Sequence, residues 1–360
     1  MLAPLRDHLS PKDPRSSALL QTTKDRYFSR LAVNVNPGEP DYEEARWVIS
    51  EDVNTEHLLD VFTSIEDSVE VWGACRNFMQ HLHWHKPRLV VLGPKIEGLP
   101  DGHHSKPLCL FRLSQLFNRV GNHAEDKRLL VHTLKLWRER RNDLQVAETL
   151  RFISGADRLM GLCEDGIRRI KEALEIYGQL DYILGQAQSW GKLAQLLYED
   201  KQLDAAEEAA YKAIDLFPDK QGQYEVCSCH RLLGTICGSR GEAEKAIEHY
   251  ETALKIASSF GWQDALFWIN YALAELFLGE KRFGDAHVHL ERAKPHAINH
   301  PYLLARAMHL EAQIWYGEGR YEEARSGVLR ALDAYEKLGA ARDAEICRTL
   351  LRAVEEASHE

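Results

Sequence analysis

His81, His83 and His85, in the stretch HLHWHK, are the densest set of residues here that could do chemistry. On a helix His81 and His85 would share a face at one-turn spacing, which suits a transition metal. No cysteine or carboxylate stands beside them to complete a tetrahedral set, and there is no H-E-x-x-H, so an ordinary helix end is expected. Cys227 and Cys229, in CSC, would face different sides of a helix, and they read as small buried hydrophobes rather than a zinc or disulfide pair. VVLGPKIEGLP, from Val90 to Pro100, has glycines and a lysine but lacks the strand, spacing and hydroxyl of a phosphate loop. A helix-breaking connection is expected there. No G-x-S-x-G frames a nucleophile, and no G-x-x-x-x-G-K-[ST] implies ATP binding. The sequence thus predicts no catalytic residue, no metal and no cofactor, and leaves the chemistry to a binding surface.

Composition narrows what such a surface can meet. The 360 residues carry a formal net charge of −10 and a pI near 6.0, so phosphate backbones and anionic membranes are repelled at long range. Nucleic acid and membrane are not expected as main partners. Cysteines 75, 109, 163, 227, 229, 237 and 347 are odd in number and form no C-x-x-C pair, which fits reduced thiols in a cytoplasmic protein. No stretch approaches the roughly 18 uncharged apolar residues of a membrane-spanning helix.

The elements that must carry the surface are written as a repeat. His123, Cys163, Leu203, Ala243 and Phe283 stand 40 apart, and Tyr321 follows after 38. Three residues past these anchors come Ala206, Ala246, Ala286 and Ala324, with Asp126 and Gly166 in the earlier copies. Ten past them come Ala173, Ala213, Ala253, Ala293 and Ala331, with Thr133 the departure. Small residues two turns apart on one face permit a close crossing, so each anchor should open an amphipathic helix. A second helix precedes each anchor, marked by the small residues Ser114, Ser154, Ala194, Gly234, Ala274 and Ala312. Gly121, Gly161, Gly241 and Gly319 should end that helix in the left-handed conformation, with Lys201 and Lys281 taking the place elsewhere at modest cost. One pair cannot bury its apolar face alone, so pairs stack into an all-α, right-handed superhelical solenoid. The last stretch, Ala340 to Ala357, reads as a capping helix with Ala344, Ile346, Leu350 and Val354 turned inward.

At these residues the chain resembles the tetratricopeptide repeat family. One copy carries the family pattern as Trp190, Leu193, Ala194, Leu197, Leu203, Ala206, Ala213 and Pro218, and another as Ala312, Trp315, Tyr321, Ala324 and Ala331. The resemblance covers six copies and departs in length, 40 residues where 34 is usual, as if each helix were some three residues longer. It implies a non-catalytic scaffold or adaptor that holds a protein or peptide in a concave groove lined by the first helix of each pair. The positions that would touch the partner are Arg151, Arg158, Gln195, Tyr198, Arg231, Tyr271, Gln313 and Tyr316. The arginines suit an acidic partner or a C-terminal carboxylate, and the tyrosines add contact area at low entropy cost. The family's chaperone-type clamp needs asparagine where this chain has Gln115, Gly155, Gln195, Thr235, Glu275 and Gln313, so chaperone tails are not expected.

The expected organisation is an irregular arm at 1–38, degenerate helical repeats at 39–103, six regular repeats at 104–338 and the cap at 339–360. The arm, MLAPLRDHLSPKDP through KDRYFSRL, is also similar to the stretch after the nucleotide-binding module in fungal signal-transduction ATPases of the NB-ARC/NACHT-like class. That similarity implies an alternative role in signal transduction. The chain would be the ligand-sensing arm of such an ATPase, as a fragment or in trans, holding the ATPase module through residues 1–38.

Overall fold

The structure, a computed structural model, describes residues 92–358 apart from 120, 218–221, 299 and 339. The arm, the repeats expected before residue 92 and the His81, His83 and His85 set lie outside the described residues. The chain divides into two compact units, one ending at Asp181 and the other covering Tyr182–Glu360. Among the described residues both units are helical, with no strand.

In the first unit α1 (Gly93–Gly98) precedes α2 (Lys106–Arg119), α3 (His123–Glu139), α4 (Asp143–Leu159) and α5 (Cys163–Gln179). The pairs are α2 with α3 and α4 with α5, and α3 packs on α4. The second unit holds α6 (Ile183–Glu199), α7 (Leu203–Leu216), α8 (Gln223–Ser239), α9 (Ala243–Phe260), α10 (Gln263–Gly279), α11 (Phe283–Ala293), α12 (Pro301–Gly317), α13 (Tyr321–Lys337) and α14 (Ala341–Ala357). Its pairs are α6 with α7, α8 with α9, α10 with α11 and α12 with α13, with α14 closing the end against α13. The first helices α6, α8, α10, α12 and α14 also touch one another in sequence order.

All six anchors are the first residues of their helices, α3, α5, α7, α9, α11 and α13. From His123 to Gln263 a new helix starts every 20 residues, and most helices are 17 residues long, or about 25 Å at 1.5 Å per residue. The 40-residue period is thus two long helices and two three-residue turns. The turns share one construction. Gly121, Gly161, Gly241 and Gly319 have φ of 78, 74, 77 and 79°, and Lys201 and Lys281 adopt the same region at 65 and 58°. After α2, the Gly121 N–H donates to Asn118 and the Asn122 N–H to Phe117, at 3.0 and 2.9 Å, which satisfies carbonyls the helix end would orphan. Asn122 then caps the next helix, its Oδ1 accepting from the Glu125 N–H at 3.2 Å. After α11, Pro295 cannot donate into the helix ladder, and the chain tightens into a 3-10 turn over Lys294–Ala297.

The small positions are where the helices cross. Ala194, Ala274, Ala312, Ala206, Ala246, Ala286, Ala324, Ala213, Ala253, Ala293 and Ala331 are fully buried. A Cβ on Gly234 would stand 2.7 Å from the Tyr250 ring, so this crossing tolerates no side chain. Two acids occupy repeat positions that are small or apolar elsewhere. Asp126 is buried and accepts from Asn118 Nδ2 at 2.7 Å. Asp157 is fully buried between Lys127, 2.7 Å away, and Arg169.

Two expectations are corrected. Within VVLGPKIEGLP the structure has the helix α1, because Pro94 falls in its first turn, where a missing N–H costs nothing. Ile346 does not face inward; it is 46% exposed, while Ala344, Cys347 and Val354 form the buried stripe of α14. The helical 3-4-3 spacing passes through Cys347, so its neighbour Ile346 is turned out.

Candidate partner-binding cleft

The first helices of the second unit each carry a stripe of polar and aromatic side chains at helical spacing. On α8 this stripe holds Ser228, Arg231 and Thr235, on α10 Trp268, Tyr271 and Glu275, and on α12 Arg306, His309 and Gln313. Neighbouring stripes touch: Gln195 Nε2 donates to Ser228 Oγ, Tyr198 and Ser239 share a hydrogen bond, and Arg306 donates to Tyr271 Oη, each at 3.4 Å. Between the stripes lie two adjoining clefts. The larger, about 530 Å³, is lined by Arg231, Thr235, Ser239, Tyr250, Trp268, Tyr271, Glu275, Glu280 and Arg306 among others. The smaller, about 360 Å³, is lined by Tyr271, Glu275, Tyr302, Arg306, His309, Gln313, Tyr335, Asp343 and Ile346. These volumes fall in the range of small ligands or a few peptide residues.

Arg306 sits where the clefts meet. Its guanidinium lies over the Trp268 and Tyr271 rings, 5.2 and 5.0 Å from their centroids. Such stacking holds the charge without consuming all its N–H donors. Burial pushes the Glu275 carboxyl up from its usual range, opposed by the Arg306 charge and a hydrogen bond from Tyr271. Burial also raises the Tyr271 hydroxyl, and burial with the Arg306 charge lowers His309. Tyr250 is pushed up to about 12 by burial, with Thr235 opposing.

The structure distributes the eight expected residues unevenly. Arg231, Tyr271 and Gln313 line the clefts. Gln195 and Tyr198 stand on α6, each bonded to α8. Tyr316 is half-buried on α12, 6.0 Å from the Tyr321 ring. Arg151 and Arg158 are half-buried on α4 of the first unit. Arg151 donates to Glu148 at 2.7 Å and lies over Phe152, and Glu148 also accepts from the Tyr177 hydroxyl at 3.3 Å. The residues missing from the expected set are Arg306, Trp268, Glu275 and His309. The signal for the first two was close by, because Trp268 precedes the expected Tyr271 by one helical turn and Arg306 precedes the expected Gln313 by two, on the same stripes.

Among the described residues no three His, Cys, Asp or Glu side chains could hold a metal ion, and no helix is long and apolar enough to cross a membrane. Cys227 and Cys229 are buried free thiols, raised by burial to about 11 and 12.

Stacked antiparallel helix pairs, closed by left-handed turns and small residues at the crossings, define an all-α repeat protein of the tetratricopeptide-like solenoid kind. Comparison with known proteins agrees: residues 183–259 match the family model of the tetratricopeptide repeat. Kinesin light chain-related protein 1 of Arabidopsis thaliana is 23% identical over 201 residues, 54% of this chain and 32% of its own length. The chain therefore spans about a third of that relative. A Rap protein complexed with Competence and Sporulation Factor aligns with a TM-score of 0.62 at 11% identity, covering 94% of this chain and 98% of the other. A signal transduction ATPase with numerous domains and a tetratricopeptide repeat sensor, from Pyrococcus horikoshii, aligns with a TM-score of 0.56 at 13% identity over 95% of this chain and 61% of the other. At these identities the structural likenesses concern the fold.

Proposed function

We propose that this chain is a non-catalytic, cytoplasmic scaffold that holds a protein or peptide partner on the first-helix stripes of its second unit. The observation that carries this reading is the convergence of Arg231, Tyr271, Glu275 and Arg306 from three helices onto two adjoining clefts. Helices packed through fully buried small residues hold these side chains in place, so binding orders little that was loose before. Arg231, Tyr271 and Gln313 carry the contact, with Gln195, Tyr198 and Tyr316 extending the stripe. In the first unit Arg151 serves the interior pair with Glu148, and Arg158 stands on the same helix face. The test is affinity capture from an extract of the source cells with the wild type and with Arg231→Glu/Arg306→Glu. A partner retained by the wild type and lost by a folded double variant supports the groove; equal capture by both removes the clefts from the interface.

The sensor-arm reading draws support from the Pyrococcus horikoshii protein, whose name includes a tetratricopeptide repeat sensor. It predicts that an ATPase module is held through residues 1–38. Deleting that arm should abolish the contact and leave the melting temperature of the array unchanged; retention of the module by the shortened chain rules the reading out.

A further inference from the structure

Some half-buried cations of the second unit sit in direct contact with carboxylates. Arg240 pairs with Asp204 and Glu207, and Lys294 with Glu291 and Glu311. Arg306 differs. Among the described residues its guanidinium makes one long hydrogen bond, 3.4 Å to Tyr271 Oη, lies over two ring faces, and forms no carboxylate ion pair. Glu275 acts on it through charge alone, without ion-pair contact, and a largely desolvated guanidinium is stabilised when a carboxylate bonds it directly. A second group on the same surface is also unsatisfied within the protein: His309 Nε2, buried and without a hydrogen-bond partner.

We propose that Arg306 is the anchor for an aspartate or glutamate side chain of an extended peptide segment, which lies across α10 and α12 with its carboxylate in the larger cleft, between Arg306 and Arg231. This rests on the groove reading and names the chemistry of the partner. Trp268 and Tyr271 hold the guanidinium plane, so its edge is prepared for a bidentate carboxylate bond. The larger cleft is lined by two arginines, Arg231 and Arg306, whereas the smaller is lined by Asp343 with no arginine besides Arg306. The residue that follows the acid on the peptide is therefore polar or basic, with Asp343 and His309 to receive it. Glu275 and Glu280 line the larger cleft too, which disfavours a dianionic phosphate more than a single carboxylate. Because the clefts continue on both sides of Arg306, a chain passes through, and the acid is a side chain rather than a C-terminus.

The experiment uses the full chain and an array of synthetic 12-residue peptides with varied acidic, basic and neutral patterning. Each acidic peptide is also made with Gln or phosphoserine in place of the acid and with an amidated C-terminus. Bound sequences should carry an acid followed by a polar or basic residue. Glu→Gln in the peptide should weaken binding at least tenfold, and amidation should change nothing. Arg306→Met should weaken the same peptides at least tenfold, and Arg306→Lys by less, since an ammonium keeps the charge but not the flat fork. Melting curves show that the variants are folded, and the peptide Glu→Gln arm does not depend on them. Binding that survives Arg306→Met but falls with Arg231→Glu overturns this anchor and keeps the groove. Binding indifferent to both overturns the groove as well. No peptide bound, loss of binding on amidation, or preference for phosphoserine each overturns the carboxylate side-chain anchor.

Discussion

Gly234 and Asp126 are each set by their immediate neighbours. The ring of Tyr250 occupies the place of a side chain at Gly234, with contacts of 2.7 to 3.0 Å to an added Cβ, and Thr235 Oγ1 and Tyr250 Oη hold the ring at 3.0 Å. Gly234→Ala should therefore destabilise by about 1–3 kcal/mol through overpacking, read as a lower urea midpoint; an unchanged midpoint would mean that the ring moves freely. The Asp126 carboxyl is pushed up to about 6 by burial, with Asn118 and Ser114 opposing. Its folded pKa stands above its unfolded one, so the folded chain binds the extra proton between roughly pH 4 and 6. Stability from this group is present at the low end of that window and lost as pH rises through 6. Asp126→Asn should accordingly stabilise at pH 7.5, by on the order of 1–3 kcal/mol, and give no advantage at pH 4. Equal effects at both pH values would show that the carboxyl titrates normally. Such acids explain part of what sequence reading misses. Asp126 and Asp157 stand in small or apolar columns, and only the folded chain shows that Asn118, Lys127 and Arg169 satisfy them.

At the scale of the helix and its turn, most of the structure was legible. The anchors opened helices, the small residues marked crossings, and Gly121, Gly161, Gly241 and Gly319 turned left-handed, because each of these choices is forced by local backbone and packing geometry. Lys201 and Lys281 obey the same turn against their own preference. Lys201→Gly and Lys281→Gly should each stabilise by about 0.5–1 kcal/mol, the left-handed cost net of glycine's added chain entropy, measured as a shift in the urea midpoint. A loss of stability would mean that the lysine side chains contribute more than their strain. The site was less legible for a related reason. The family resemblance marks groove positions on the first helices, Arg231, Tyr271 and Gln313 among them, but where a cleft begins along a helix depends on neighbouring helices. Trp268 lies one turn from Tyr271 and Arg306 two turns from Gln313, and Ile346 lines a cleft because its helix is rotated so that Cys347 takes the interior.

Among the described residues, the substantial contacts within each unit run between helices adjacent or next but one in sequence. Stability is then close to a sum over neighbours. Removing α14 should expose the buried face of Val328, Ala331 and Tyr335, lowering the melting temperature and raising dye binding to apolar surface. Hydrogen exchange should rise on α12 and α13 while α6 to α9 stay protected; uniform loss of protection over the second unit would contradict a nearest-neighbour array. The regular spacing of helix starts also constrains how such a chain can lengthen over generations. Duplicating 40 residues at a turn keeps every later helix in its role, whereas duplicating 20 would exchange first and second helices downstream. Only even numbers of helices can be inherited together without exchanging first and second helices, so growth by whole pairs is the route that preserves the packing of the array.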